Sequence, residues 1–544
     1  MTAGGRRVLV GGLAAAILAL FAGHWVAGVL SDRWWAEAVD PAVVPFLTRW
    51  HLLGLLLELG GSAVAALWFV LQLLLVVGSI STVQVPRRLG DLEIRELLPL
   101  DRLRTAAIIA GVVLGILVGA DLDQALPLVL QGWRGVRYGI VDPVLGVDLG
   151  VYLAQLPLWT VALDFARRLV WLALAGAAVS HFLLGGVRVA RSGVAMTDAA
   201  RVQLGALVAL ALGLAAMGEG LGPLRAIAGL ESGAVAGLAP GVRWGVALAW
   251  GVAAVAIVLW VIRPAPGYVL AGLGLWIASG ALSRVVGDGG APLGGLPADR
   301  RSAVAAVATG LERLHEEQAP ADTGPPAPPG PGLWSPEAVA LLLQVNGGKL
   351  LGLAPTLVEH GGTRVPAWLA VRRTGTDAEL AMIAEDRLAA GGAPVTYRDL
   401  DPADYPGLVA WRHLDRSALL PDQADTVAAW PGTGVRLGSS LRRLLLAWGT
   451  QTPGILGRAP GDAALFWRLT PRERAARLFP IASWDEARPC LVGRDLHWVV
   501  EGWLLGAGAP LAPAIPWEGT TRRYARPAFI AVIDATTGAA RLYL

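Results

Sequence analysis

Apolar residues dominate seven stretches in the first 286 positions, at about 8–30, within 51–81, and at about 105–122, 169–186, 202–218, 242–262 and 267–286. A helix needs about 20 such residues to cross the roughly 30 Å hydrocarbon core of a bilayer. The pattern therefore predicts an all-α bundle of about seven transmembrane helices over residues 1–287. Beyond it the texture changes. Residues 297–318 have apolar positions at helical spacing, and the "APADTGPPAPPGPG" of 319–332 reads as an extended linker without core-forming residues. A new helix is expected at "SPEAVALLLQV", with Ser335 as cap and Pro336 in its first turn.

The rest, 333–544, reads as an α+β domain. "RPCLVGRDLHWVVEGW" predicts two strands around Gly493 and Arg494, and "RPAFIAVIDATTGAARLYL" a hairpin turning at "ATTG". "SLRRLLLAW" and "TPRERAARLF" carry helical patterning, the second with Thr470 as cap.

Composition sharpens this picture. Of 544 residues, 55% are hydrophobic and only 16% charged, against about a quarter charged in a typical soluble domain. The net charge of +3 is small for the length and points to no nucleic-acid partner. Cys490 is the only cysteine, which excludes an intrachain disulfide and any multi-cysteine metal site.

Arginine placement sets the expected orientation, because cytoplasmic loops retain basic residues. Arg6 and Arg7 precede the first stretch; Arg87, Arg88, Arg95, Arg102 and Arg104 follow the second; Arg188, Arg191 and Arg201 follow the fourth; Arg263 follows the sixth. With seven spans all four groups share one side. The N-terminus is thus expected in the cytoplasm of a bacterial cell, with the C-terminal domain extracytoplasmic. Arg6-Arg7 reads as the flank of an uncleaved anchor rather than a twin-arginine export signal. Trp25, Trp34, Trp35 and Trp50 read as a belt at headgroup depth.

Four stretches resemble uncharacterised protein family 0182, a bacterial group with seven N-terminal spans and a large extracytoplasmic region. "DPVLGVDLGVYLAQLPLW" at 142–159 resembles the family's DP-x-x-G-x-D-x-x-x-Y-x-x-x-LP pattern before the fourth span, and "GVRLGSSLRRLLLAW" its G-V-R-L-G-x-x-x-R-R pattern. "LPADRRSAVAAVATGLERL" is similar to the helix after span seven, and "YARPAFIAVIDATTGAARLYL" to the terminal strand pair. The resemblance implies a shortened member, lacking much of the extracytoplasmic middle. It implies no activity and no catalytic residues, because the family has none established.

The candidate site residues are few. Asp142 precedes Pro143, and Asp148 stands where a helix cap is expected; the pair reads as a turn and helix start, with a calcium or magnesium site as the alternative. Asp164, Arg167 and Arg168 interrupt the approach to the fourth span and read as an ion pair and lipid anchor, with a conduction path as the alternative. Arg436, Arg442 and Arg443 read as a turn leading into an arginine-bearing helix, or as a site for lipid phosphates or an acidic glycan. His24, Glu58 and His181 fall within or near spans, whereas His315, His360, His413 and His497 are scattered.

No zinc-protease helix, nucleophile elbow or phosphate-binding glycine loop is present, and neither cofactor nor metal is expected. The expected role is a non-enzymatic component of the envelope or of a membrane complex, whose partners are the bilayer and other envelope proteins. A transporter or channel using Glu58, Asp164, Arg167 and His181 is the alternative. An outer-surface enzyme on lipid-linked substrates is third.

Overall fold

The computed structural model describes residues 3–79, 100–230, 240–286, 335–345, 349–385, 397–399, 418–419, 434–458 and 464–544, apart from 136, 143, 191–192, 361–362, 375–377, 469, 493–494, 511, 513, 518 and 536. The expected helix at 297–318, the linker at 319–332, Arg87, Arg88, Arg95, Arg191, His315 and His413 lie outside the described residues.

The front half is helical, with α1 (Ala3–Val39), α2 (Val44–Ser79), α3 (Leu100–Gly119), α4 (Leu126–Arg134), α5 (Leu156–Leu183), α6 (Asp198–Gly220), α7 (Gly222–Ile227), α8 (Pro240–Ile262) and α9 (Pro266–Val286), and a hairpin of β1 (Val187–Ala190) and β2 (Gly193–Met196) between α5 and α6. Among the described residues, four helical segments are long and apolar enough to cross a membrane, within Pro41–Ser79, Leu100–Arg134, Asp198–Gly220 and Gly241–Ile262; Pro266–Ala281 is apolar but shorter. Their outer faces carry Leu56, Leu67, Ile109, Leu117, Leu248 and Val255, all exposed, as a lipid-facing surface requires.

The chain divides into two compact units, each drawing on both ends of the sequence: 1–51 with 314–505 and 526–544, and 52–313 with 506–525.

In the first unit, the end of α1 belongs to the core of the C-terminal region. Trp35, Ala36, Val39, Val43 and Leu47 are buried in one cluster with Leu437, Leu446, Trp467, Leu478, Trp498 and Ile533. Trp35 is only 1% exposed, so it cannot sit in the headgroup belt that the sequence pattern predicts for it. The pattern records an indole near the end of an apolar run, and the same signal arises when a protein core takes the place of lipid.

Among the described residues, three antiparallel sheets belong to this unit. One is a meander of β3 (Lys349–His360), β4 (Thr363–Thr374), β5 (Ala378–Glu385) and β6 (Tyr397–Asp399). In a second, β7 (Ala418–Leu419) and β8 (Val435–Arg436) flank β9 (Ala464–Trp467). The third orders β10 (Ser483–Trp484), β12 (Asp495–Gly506), β15 (Tyr524–Asp534) and β16 (Ala540–Tyr543), with β11 (Arg488–Val492) also on β12, whereas β13 (Ile515–Trp517) and β14 (Thr520–Arg522) pair with each other in the second unit. The β15–β16 hairpin turns within 535–539, where Asp534 accepts the Thr537 N–H at 2.7 Å. The C-terminal helices start where short hydroxyl side chains satisfy otherwise unpaired N–H groups: Ser439 accepts from Arg442 and Thr470 from Glu473.

In the second unit, α3 lies against α2 along a glycine stripe. A Cβ at Gly111, Gly115 or Gly119 would overlap the backbone of Val70, Ala66 or Ser62 respectively. Four-residue spacing keeps the three on one helix face, and the missing side chains let the backbones touch. A second anchor is Trp68 on α2, whose indole N–H donates to the Leu169 carbonyl of α5 at 3.1 Å.

Gly115→Leu is expected to lower the thermal unfolding midpoint of the detergent-solubilised protein, by about 1–3 kcal/mol of overpacking or more. Gly60→Leu, at a position where a Cβ meets nothing within 4 Å, serves as the neutral comparison.

Candidate functional site

The aspartate loop is a closed hydrogen-bonded knot. Asp142 is 2% exposed. Its Oδ1 accepts the N–H groups of Val144 at 2.9 Å and Leu145 at 2.6 Å; its Oδ2 accepts Val147 N–H and the Tyr152 hydroxyl, both at 2.8 Å. A carboxylate has about four lone-pair sites, and all of those on Asp142 are taken by protein donors. Gly146, with φ +67°, lets the chain double back so that the Asp142 N–H reaches the Val147 carbonyl at 2.9 Å. Burial, then the hydrogen bond to Asp142 and that carboxylate's charge, push the Tyr152 phenol far above its ordinary value.

Asp148 does the same work one turn later. It accepts Gly150 N–H at 2.8 Å at the helix start, and reaches back to Tyr138 N–H at 3.1 Å and Gly139 N–H at 2.8 Å. Burial pushes its carboxyl up, but those three N–H groups and the charge of Arg137 outweigh it and hold the carboxyl below the usual range. The first turn that follows, Val151–Gln155, is a π-turn, and α5 continues from it. The two carboxylates thus hold the strand-like segment 138–142 against the start of a helix. Among the described residues no group of three or more His, Cys, Asp or Glu side chains is arranged to hold a metal ion.

The other predicted charges separate. Arg167 lies 3.5 Å from Asp164 on its own helix and donates to the Leu214 carbonyl of α6 at 3.4 Å, whereas Arg168 is exposed. Arg442 stacks 4.5 Å from the Trp34 ring centroid, and Arg436 is exposed. His497 faces Cys490 across the β11–β12 pair.

A polar bridge between helices is the feature that sequence reasoning missed. His181 Nε2 lies 2.9 Å from Gln203 Oε1, and Gln203 Nε2 donates to the Gln72 carbonyl at 2.8 Å and to Gln72 Oε1 at 3.0 Å. These residues come from α5, α6 and α2, and all three are buried. Beside them a cleft of about 520 Å³ opens between α2 and α6, lined by Trp68, Gln72, Leu75, Gln203, Leu207 and Leu210 among others. The two glutamines inside otherwise apolar spans were the available signal, since a buried amide needs a partner.

The first unit has its own charged cluster. Arg468 pairs with Asp32, His51 lies 3.4 Å from the same carboxylate, and Arg468 sits 4.9 Å from the Trp35 ring centroid. Burial raises the Asp32 carboxyl, yet His51 and Arg468 together overcome it and leave it below its ordinary value. Nearby, Arg474 is 1% exposed and donates to the Gly538 carbonyl at 2.5 Å; burial pushes its guanidinium down to about 10.

A family model described as "Uncharacterised protein family (UPF0182)" matches residues 9–283, just over half of the chain and nearly all of α1 to α9. The chain belongs to this family. Among its curated relatives, a UPF0182 protein of Salinispora arenicola is 38% identical over 109 residues, 20% of this chain and 11% of the relative. One of Salinispora tropica is 38% identical over 100 residues, 18% and 10% of the two chains, and one of Rhodococcus jostii 34% over 106, 20% and 11%. The match therefore spans about a tenth of the length of each UPF0182 relative. No solved structure matches the chain.

Asp142→Ala would strand three N–H groups and the Tyr152 hydroxyl inside the loop. The expected cost is about 3–5 kcal/mol, read as a lower unfolding midpoint in detergent. Adding calcium or magnesium to the unmodified protein should leave the midpoint unchanged.

Proposed function

We propose that this UPF0182 protein crosses a bacterial inner membrane seven times, through α1, α2, α3, α5, α6, α8 and α9. Its N-terminus is cytoplasmic, and its C-terminal α+β region stands outside as the partner-binding part of a non-enzymatic membrane or envelope complex. The observation that carries this reading is the burial of Trp35, Ala36 and Val39, from the end of α1, in the core of the C-terminal region. If α1 crosses the bilayer, that region must lie on the side opposite the N-terminus, as an odd number of crossings requires. Arg102, Arg104, Arg188, Arg201 and Arg263 then fall on the cytoplasmic side, in accord with the retention of basic residues there.

In α5, Asp164, Arg167 and Arg168 leave only its second half free of Asp, Glu, Lys and Arg. The ion pair and the carbonyl contact of Arg167 reduce the cost of carrying those charges toward the membrane.

The polar bridge of His181, Gln203 and Gln72 favours a second reading, passage of a small polar solute or ion through the bundle. Under that reading Gln203→Leu abolishes flux in proteoliposomes. Flux equal to the unmodified protein's, or none in either, counts against it.

A reporter fused after Leu544 is expected to be active only outside the cytoplasm, and the protein extracted from its native membrane in mild detergent should migrate with other proteins bound. A cytoplasmic reporter would overturn the topology; migration as the bare chain in detergent would overturn the complex.

A further inference from the structure

The helix Ser440–Gly449 lies along α1 in the antiparallel sense. Near its start, Arg442 stacks on Trp34. At its far end Gly449 meets Ala27 and Ser31 so closely that a Cβ would overlap them, Trp448 packs on Gly23, and the Trp448 ring is 6.3 Å from that of His24. From Trp34 down to Gly23 is about 16 Å of helix rise. With 37 residues α1 is about 55 Å long, well beyond the roughly 30 Å hydrocarbon core. If its span is 8–30, Trp448 reaches below the outer edge of the membrane, and Arg442 stays at or above it.

Exposed leucines run along the whole segment, beginning with Leu441 at 66%. Leu444 is 47% exposed, and Leu456, beyond the turn that follows Trp448, is 51% exposed. Residues 434–458 contain four arginines and no acidic residue. Among the described residues, Arg436, Arg442 and Arg443 pair with no carboxylate, and the Nε atoms of Arg442 and Arg443 find no acceptor. Exposed leucines and an indole, interleaved with guanidinium groups that pair with no carboxylate, are the chemistry of a segment resting in an anionic bilayer interface.

We propose that Ser440–Gly449 and the turn to Leu456 are embedded in the outer interface of an anionic phospholipid bilayer. Trp448 and Leu456 reach the acyl chains, Leu444 lies at their boundary, and Arg442 and Arg443 bind headgroup phosphates. The outer region is thereby seated in the lipid as well as held by α1. This inference rests on the reading that α1 spans the membrane.

The test uses the full chain in nanodiscs containing phosphatidylglycerol. In a Cys490→Ser background, single nitroxide labels go on Leu20→Cys, Leu444→Cys, Leu456→Cys and, as the aqueous reference, Glu486→Cys. The ratio of oxygen to nickel-chelate accessibility at Leu444 and Leu456 is expected to exceed that at Glu486 by about threefold or more, as for groups at the acyl boundary. Leu20 should give the highest ratio. Aqueous values at both leucines with Leu20 in lipid overturn the proposal and leave those leucines to a protein partner. An aqueous Leu20 overturns the spanning reading itself. The double variant Arg442→Gln, Arg443→Gln is expected to retain less than half of the phosphatidylglycerol that co-purifies with the unmodified protein; undiminished retention would overturn the phosphate contacts.

Discussion

The structure turns on the burial of the end of the first helix inside the C-terminal region. Trp35, Val39 and Leu47 come from the first tenth of the chain, whereas Leu437, Leu446, Trp467 and Ile533 come from its last fifth, yet they share one core. Neither part can complete that core alone. Removing Trp35 would open a large void among Leu478, Trp498 and their neighbours and would deprive Arg468 and Arg474 of the ring they face. Burial of so large a side chain is worth a few kcal/mol. The Asp32–Arg468 pair adds an electrostatic lock beside it that buried hydrophobic contact alone does not supply. An apolar helix end that would be unstable in water thus becomes the centre of a folded region, and the orientation of that region is tied to the direction of α1.

The same accounting governs the second unit, where polar groups are admitted only with partners. Asp142 and Asp148 together take up six backbone N–H groups and a phenol, so the segment before α5 has its exposed amides satisfied internally rather than by water. His181, Gln203 and Gln72 form a chain in which His181 Nε2 meets Gln203 Oε1, and Gln203 Nε2 meets the Gln72 carbonyl and Oε1. Such a chain fixes the register of three helices, because sliding any of them by one residue would strand a buried amide at a cost of a few kcal/mol. Apolar contacts alone would tolerate that slide more readily.

Much of this architecture is legible in the sequence, and the part that is not has a definite physical reason. The long apolar helices follow from run length, and the capped starts at Thr470 and Ser335 follow from hydroxyl residues placed before a proline. The β15–β16 hairpin follows from its turn residues. These are local signals. The placement of Trp35 is not local: an indole at the end of an apolar run looks the same whether lipid or protein covers it. The α2–α3 contact was hidden for a related reason. Gly111, Gly115 and Gly119 are three among 69 glycines, and only the facing backbone of Ala66 and its neighbours gives their spacing meaning. The candidate site divides along the same line. The aspartates were visible as residues, but that three N–H groups converge on each depends on how the chain folds back around Gly146. Gln72 and Gln203 stand 131 positions apart, so their pairing could not be read from either segment.

The two polar features of the second unit also differ in what they leave open to a ligand. At Asp142 the donors match the acceptor sites, and the group is sealed from solvent; a cation would have to displace four protein hydrogen bonds to coordinate it. The His181–Gln203–Gln72 chain instead borders a cleft, and a glutamine amide can rotate to exchange one partner for another without charge transfer. A bridge of neutral groups beside an open cleft can therefore rearrange at low cost, whereas a saturated carboxylate cannot. That asymmetry leaves the bridge, rather than the loop, as the polar feature of the bundle with room to exchange partners.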